Sequence, residues 1–191
     1  MPPDHGPTDA AAQSFLARLG EFDCALSRRF AVGLPHPRWF TLPLGTFSLS
    51  ANYGVFWYAL ALLPWLVGAE RPLLKALYVA VPVTLVEMTG FVIKRVIGRR
   101  RPPVVDLTQP RQIPLPRSLS FPSSHASMAV AGVFALATLA PAWLPLLVVV
   151  AVVLCGSRVY LGVHYLGDVL GGVVYGLMWG AGWVLLVPAP V

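Results

Sequence analysis

Apolar runs of span length, broken by short polar clusters, set the pattern of this chain. Trp39–Ala69, Ala126–Gly156 and Val169–Val191 contain no Asp, Glu, Lys or Arg. A helix needs roughly 20 mainly apolar residues to cross a bilayer, so runs of this length predict membrane spans rather than buried helices of a soluble core. The pattern predicts five, at about 51–68, 73–94, 124–140, 143–161 and 166–187. Pro141 and Pro145 divide the middle run into two helices, because an interior proline removes a backbone donor and clashes with the preceding turn. Residues 68–72 read as a short turn.

Residues 13–48 follow a different rule. Phe15, Leu16, Leu19, Phe22, Leu26 and Phe30 recur at helical spacing against Arg18, Arg28, Arg29 and Arg38. Such a stretch is too polar to span and predicts an amphipathic helix lying on the membrane surface, interrupted at Pro35 and Pro37. The Trp39-Phe40 pair that follows suits the headgroup level. Residues 1–12 are polar and proline-rich, lack the features of a signal peptide, and predict disorder. The expected fold is therefore all-α: a polytopic transmembrane bundle of about five spans in residues 49–191, preceded by the interfacial segment 13–48.

Composition agrees. The chain is 57% hydrophobic and 12% charged, about half the charged fraction of a soluble domain. The net charge of +6 fits anionic lipid and phosphate better than nucleic acid, because the cations abut the spans. Cys24 and Cys155 lie in separate segments and in no metal-ligand pattern, so no disulfide is expected.

Three polar clusters interrupt the apolar background: Lys94-x6-Arg101-Pro102, Pro122-Ser123-Ser124-His125, and Ser157-Arg158-x5-His164-x3-Asp168. Spans joined by short turns alternate in direction, which brings these span ends to one membrane face. Arg101 and Arg158 offer planar forks for phosphate oxygens, and Lys94 a compact charge. Ser123 adds a hydroxyl, and the start of the third span points its positive end at the same anion. His164 and Asp168, four apart, would share one helix face, so the carboxylate would orient the imidazole for attack on phosphorus. His125 would protonate the leaving group and then activate water. Glu87, Asn52, Tyr53, Thr84 and Thr89 are candidates to line the same cavity, and the proline-rich loop 95–122 to cover it. Arg99 and Arg100 read as positive-inside anchors. A metal held by His125, His164 and Asp168 is the chemical alternative; the surrounding cations oppose it by repelling a dication and doing its electrostatic work. No cofactor is expected.

With these residues the chain resembles the type 2 phosphatidic acid phosphatase superfamily of integral membrane lipid phosphatases, whose signature reads K-x6-R-P, P-S-G-H and S-R-x5-H-x3-D. The resemblance covers about residues 40–187. It implies a helical bundle, metal-independent catalysis and a phosphohistidine intermediate. By position it makes His164 the nucleophile, Asp168 its orienting partner and His125 the general acid and base, with Lys94, Arg101, Ser123, Ser124 and Arg158 holding phosphate. Ser124 stands where the signature has glycine, which alters pocket shape. The short basic form resembles actinobacterial members that act on polyprenyl phosphates such as decaprenylphosphoryl-5-phosphoribose. Phosphatidate, phosphatidylglycerophosphate and undecaprenyl pyrophosphate are other family substrates. A binding or transport module for lipid phosphates is the non-enzymatic alternative, but it would need neither His164 nor Asp168. A phosphotransferase passing phosphate from His164 to an acceptor other than water would share every motif residue. The implied partners are the bilayer and a lipid phosphate, not nucleic acid, and the pattern leaves room for a homo-oligomer.

Orientation in a bacterial inner membrane draws on two opposed considerations. Every Lys and Arg except Arg71 and Lys75 falls on the motif face. With Lys94, Arg101 and Arg158 set aside, nine stand against two. The positive-inside rule therefore favours a cytoplasmic site, whereas most bacterial relatives act on the outer side.

Overall fold

The computed structural model describes residues 7–106 and 112–190, and of residues 7–13 and 16 the backbone only. Of the stretch 1–12 expected to be disordered, residues 7–12 are instead helical and open α1, where Ala10, Ala11 and Ala12 favour helix; residues 1–6 and the loop tip at residues 107–111 lie outside that description. Every regular element within it is helical: α1 (Pro7–Ala31), α2 (Arg38–Ser50), α3 (Val55–Ala61), α4 (Leu63–Leu66), α5 (Pro72–Ile97), α6 (Pro102–Val105), α7 (Ser124–Leu139), α8 (Leu144–Tyr160) and α9 (Leu166–Leu186). Single 3-10 turns occupy Asn52–Gly54 and Pro141–Trp143.

Three stretches are long and apolar enough to cross a membrane: Pro72–Val105, Pro141–Tyr160 and Leu166–Leu186. They make the chain an integral membrane protein. The expected span at 51–68 is not one helix. Tyr53 and Gly54 both take positive φ, 54° and 79°, which breaks the helix between α2 and α3. Pro64 then opens the short α4, where a missing N–H is tolerated. The fourth apolar helix, α7, has 16 residues. At 1.5 Å per residue it reaches only ~24 Å.

The other boundaries follow local chemistry. Pro72 starts α5, and Gly98 in the left-handed conformation ends it by donating its N–H to Lys94 O at 2.9 Å. Lys94 thus sits one turn before the helix end. The pair Pro141 and Pro145 separates α7 from α8 as the sequence predicts, with Pro145 in the first turn of α8.

Helix α7 is the hub, packed against α5, α8 and α9. Its approach to α9 is the tightest contact. Gly172, Gly176 and Gly180 form a stripe one turn apart on α9. A Cβ on the first two would lie 2.6 Å from Ser123 O and Ser127 O, and on the third 2.7 Å from the Phe134 ring. Helices in lipid lack a hydrophobic drive to associate, so small residues that admit close backbone packing hold them together. The same approach lets Ser123 N donate to Asp168 O at 2.9 Å, fastening the starts of α7 and α9 side by side. Outward-facing residues such as Val149 and Val152 on α8, and Leu170, Val174 and Leu177 on α9, are exposed and apolar.

On α1, the more buried positions Gly20, Asp23, Leu26, Ser27 and Ala31 recur at helical spacing, and the helix lies on α8 and α9. Phe15, Leu19, Phe22 and Phe30 point away and are exposed. The inner face of this amphipathic helix is small and polar, and its large apolar side chains face outward.

Candidate active site

The three sequence clusters meet at one end of the bundle. Lys94 comes from the last turns of α5, Arg101 from the residue before α6, and Ser123, Ser124 and His125 from the start of α7. Arg158 ends α8, His164 lies in the link to α9, and Asp168 is in the first turn of α9. All except Ser124, which is half-buried, are buried. A cavity of about 610 Å³ is lined by Lys94, Arg101, Ser124, His125, Arg158 and His164. Pro114–Ser118 of the proline-rich loop form part of its wall, and Asn52, Tyr53, Glu87 and Phe91 also line it. Ser123 and Asp168 are outside the lining and pack behind it.

His164 is not on a helix face with Asp168, as its spacing suggested. Gly162 takes φ 71°, ends α8, and turns the chain so that Val163 N and His164 N both donate to Arg158 O. The imidazole is thereby fixed by its own backbone. Arg101 Nη1 lies 2.8 Å from Nε2. A guanidinium only donates, so Nε2 accepts and carries the lone pair, and the ring proton is on Nδ1. Nδ1 faces Asp168 Oδ2 and Ser120 Oγ, each at 3.4 Å. Burial first, then the positive charges of Arg101, Arg158 and Lys94, hold the His164 imidazole well below its usual range and keep it neutral.

Asp168 is fully buried and richly bonded. Oδ2 accepts from Ser120 Oγ and from Tyr165 N at 2.9 Å, the latter completing a capping box at the start of α9. Oδ1 accepts from Arg99 Nη1 at 2.9 Å, and the other end of that guanidinium donates to Asp23 Oδ2 of α1 at 2.6 Å. The Arg99 plane lies 4.1 Å from the Tyr165 ring centre. Arg99 is therefore no spare anchor.

The cations of the cavity are held differently. Arg101 donates to Ser118 O and Oγ, Leu119 O and Val163 O, which locks its plane. Lys94 Nζ donates to Pro122 O. Arg158 donates once, from Nη1 to Ser48 Oγ at 2.5 Å, while Nε and Nη2 are buried without a partner among the described residues. Ser123 Oγ is likewise buried and unpartnered. Buried donors of this kind are costly unless a ligand satisfies them. His125 Nε2 donates to the carbonyl of the same Ser48 at 3.0 Å, leaving Nδ1 as the nitrogen with a lone pair.

Sequence reasoning missed Ser48, Ser120, Asp23, Ser27 and the role of Arg99. Ser48 lies in an apolar run with nothing to mark it. Asp23 and Ser27, four apart on α1, form a small polar stripe on a helix read for its apolar residues. Thr84 and Thr89 do not line the cavity: each hydroxyl bonds the carbonyl four residues back, Ala80 O and Leu85 O, and a tyrosine, Tyr58 and Tyr175 respectively. No three His, Cys, Asp or Glu side chains converge as metal ligands among the described residues.

The PAP2 superfamily profile matches residues 75–190, which include every member of the site just described except Asp23, Ser27, Ser48 and the wall at residues 52 and 53. The chain belongs to the PAP2 superfamily. Among PAP2 relatives, a decaprenylphosphoryl-5-phosphoribose phosphatase of Mycobacterium tuberculosis is 38% identical over 91 residues, 47% of this chain and 48% of that one. The chain thus spans about half the length of the curated relatives it matches. The crystal structure of Aquifex aeolicus LpxE superimposes with a TM-score of 0.70 over 84% of this chain and 93% of its own, at 22% identity, a likeness of fold. A PAP2-type phosphatidylglycerolphosphate phosphatase from Bacillus subtilis superimposes with a TM-score of 0.65 at 25% identity, over 87% of this chain and 84% of its own.

Proposed function

We propose that this chain is a membrane lipid phosphatase that removes phosphate from a polyprenyl-linked lipid phosphate through a phosphohistidine at His164. The observation that carries this reading is the state of His164: Nε2 bears the lone pair inside a cavity ringed by three cations, and Nδ1–H is turned to a buried carboxylate. In the first step the substrate phosphate draws the Arg101 Nη1 donor away from Nε2, and the freed lone pair forms a bond to phosphorus as the bond to the leaving oxygen breaks. Asp168 stabilises the positive charge that this puts on the ring. Lys94, Arg101 and Arg158, with Ser123 and Ser124, hold the phosphoryl oxygens. With the phosphate anion bound beside it, His125 takes up a proton from solvent on Nδ1; it gives that proton to the leaving oxygen, then takes one from the water that attacks the phosphohistidine and frees phosphate. Because Ser48 O engages Nε2–H of His125, Nδ1 is the position that exchanges this proton. The charge load rests on side chains, so a divalent metal has no task in the cycle.

A substrate such as decaprenylphosphoryl-5-phosphoribose is supported by the name of the Mycobacterium relative and by Asn52, Tyr53 and Glu87 in the cavity lining, which suit a hydroxylated headgroup. Phosphatidylglycerophosphate is the second reading, favoured by the Bacillus neighbour. The membrane arrangement we favour has five crossings, with the 51–68 region and α7 completing the three long stretches. The exposed phenylalanines of α1 lie against the surface of a bacterial inner membrane, and the cavity opens to the cytoplasm. The local charge balance supports that side.

Phosphate release from purified protein tests the reading. The panel is a polyprenyl phosphoribose, phosphatidylglycerophosphate, phosphatidate and a polyprenyl pyrophosphate, each with excess chelator. Turnover in chelator, greatest on the first lipid, is expected. Activity restored only by added magnesium or zinc would overturn the metal-free cycle. The same assay with an impermeant substrate on inverted and right-side-out vesicles tests the side, and turnover confined to right-side-out vesicles would place the site outside.

A further inference from the structure

We infer that Arg99 and Asp23 are positioning residues for catalysis: Arg99 carries the orientation of Asp168, and hence of His164, from a fixed point on α1. The inference rests on His164 as nucleophile and adds to that reading a second layer that no motif contains.

The geometry is specific. Arg99 is a two-ended clamp, with Nη1 on Asp168 Oδ1 at 2.9 Å and Nη2 on Asp23 Oδ2 at 2.6 Å. Asp168 keeps Oδ2 for Tyr165 N and Ser120 Oγ, the side that faces His164 Nδ1. If Arg99 is lost, the carboxylate loses the bond that holds Oδ1 away from the imidazole and sets its tilt. Asp23 in turn is tied to α9 independently: Oδ1 accepts Gly167 N at 2.8 Å, and Ser27 Oγ accepts Leu166 N at 2.7 Å. These two bonds satisfy N–H groups at the start of α9 that have no partner within the helix. Gly167 admits this approach, since a Cβ there would lie 2.7 Å from Asp23 Oδ2. A fully buried carboxylate within reach of Lys94 and Arg101 would otherwise be drawn toward them; the clamp supplies an opposed cation on its outer side. Outer partners that orient a metal-bound imidazole typically cost 10–100-fold when removed, and an effect at the low end of that range is expected for a metal-free nucleophile.

Arg99→Gln, Arg99→Lys, Asp23→Asn, the Asp23→Asn/Arg99→Gln pair and His164→Ala are compared by kcat, KM and thermal unfolding in detergent, on whichever lipid phosphate the wild type hydrolyses best. Arg99→Gln should lower kcat about 10-fold with KM within about twofold, since the residue touches no phosphate oxygen. Arg99→Lys keeps a charge but cannot bridge two carboxylates, so it should unfold near the wild-type temperature yet stay well below wild-type kcat. Asp23→Asn preserves an oxygen for Gly167 N and loses only the charged end of the clamp. It should lower kcat about threefold, and the pair should be no slower than Arg99→Gln alone, because Asp23 acts through Arg99. Wild-type kcat in Arg99→Gln or Arg99→Lys, or a loss of kcat that only follows the fraction folded, would overturn the clamp. An active His164→Ala would instead overturn the nucleophile itself, so the two failures are distinguishable.

Discussion

Two arginines of one motif face illustrate how differently the same side chain can be used. Arg158 stands on the cavity side. It has no carboxylate partner, donates once to Ser48, and leaves Nε and Nη2 buried and unpartnered among the described residues. Arg99 stands on the outer side, with both ends of its guanidinium in carboxylates and its plane against Tyr165. The first keeps its charge for something that enters. The second has spent its charge on the scaffold. An unpaired buried cation is expensive, so its persistence in Arg158 points to an anionic ligand, whereas the pairing of Arg99 is complete without one.

The largest separation between the two should come from removing each. Arg158→Gln takes a donor from the transferring phosphoryl group, and losses of that type reach roughly 100-fold in rate. KM should rise as well, because the same nitrogens hold the ground-state phosphate. Arg158→Lys should recover little of this, since one ammonium cannot replace the two uncommitted fork positions. Steady-state kinetics on the preferred lipid phosphate measure both, and an Arg158→Gln enzyme with an unaltered KM and a modest change in kcat would erase the distinction from Arg99.

A smaller effect is expected where the two walls of the cavity are joined. Ser48 Oγ accepts from Arg158 and Ser157, and Ser48 O accepts from His125. Ser48→Ala removes the hydroxyl and spares the carbonyl, leaving Arg158 less constrained at a cost of about 1 kcal/mol, or roughly fivefold in kcat/KM. Since His125 keeps its partner, the pH optimum should not move; a shifted optimum would mean that the hydroxyl also governs the acid and base.

The cavity side was largely legible in the sequence. Lys94, Arg101, Ser124, His125, Arg158 and His164 all line one cavity, because ionisable groups at the ends of apolar helices have nowhere else to go than to each other. The scaffold side was not. Arg99 looked like one more positive-inside residue because its two carboxylates, Asp23 and Asp168, come from segments 145 residues apart, a separation that no local pattern reports. Ser48 gave no signal, since a serine in an apolar run is as often a helix satisfying itself, as Thr84 and Thr89 turn out to do. The i,i+4 spacing of His164 and Asp168 gave the right partnership by the wrong geometry. The two meet because Gly162 and the capping box at Tyr165 fold the chain back just before α9 begins. The break at Tyr53 and Gly54 was masked by hydropathy, which counts apolar side chains and is blind to positive φ.

The smallest predicted effect separates the two arginines by charge alone. His164 is held below its ordinary range by burial and by Arg101, Arg158 and Lys94, whereas Arg99 has its charge paired with Asp23 and Asp168. In the unfolded chain this histidine takes up a proton at about 6.5, while in the folded protein it stays neutral to lower pH. The unfolded state therefore binds more protons in that interval. The stability contributed by neutral His164 is full above about pH 6.5 and is lost as pH falls from there toward the folded value. Thermal unfolding of the ligand-free protein should show a steeper loss of stability between pH 7.5 and 5 in the wild type than in His164→Gln. Arg158→Gln, which removes one of the cations that depress the imidazole, should flatten the wild-type slope. Arg99→Gln should leave it as it is. An Arg99→Gln slope flattened as far as that of Arg158→Gln would show that the clamp does not isolate Arg99 from the nucleophile, and the contrast between a cation kept for the ligand and one spent on the scaffold would fail on electrostatic grounds.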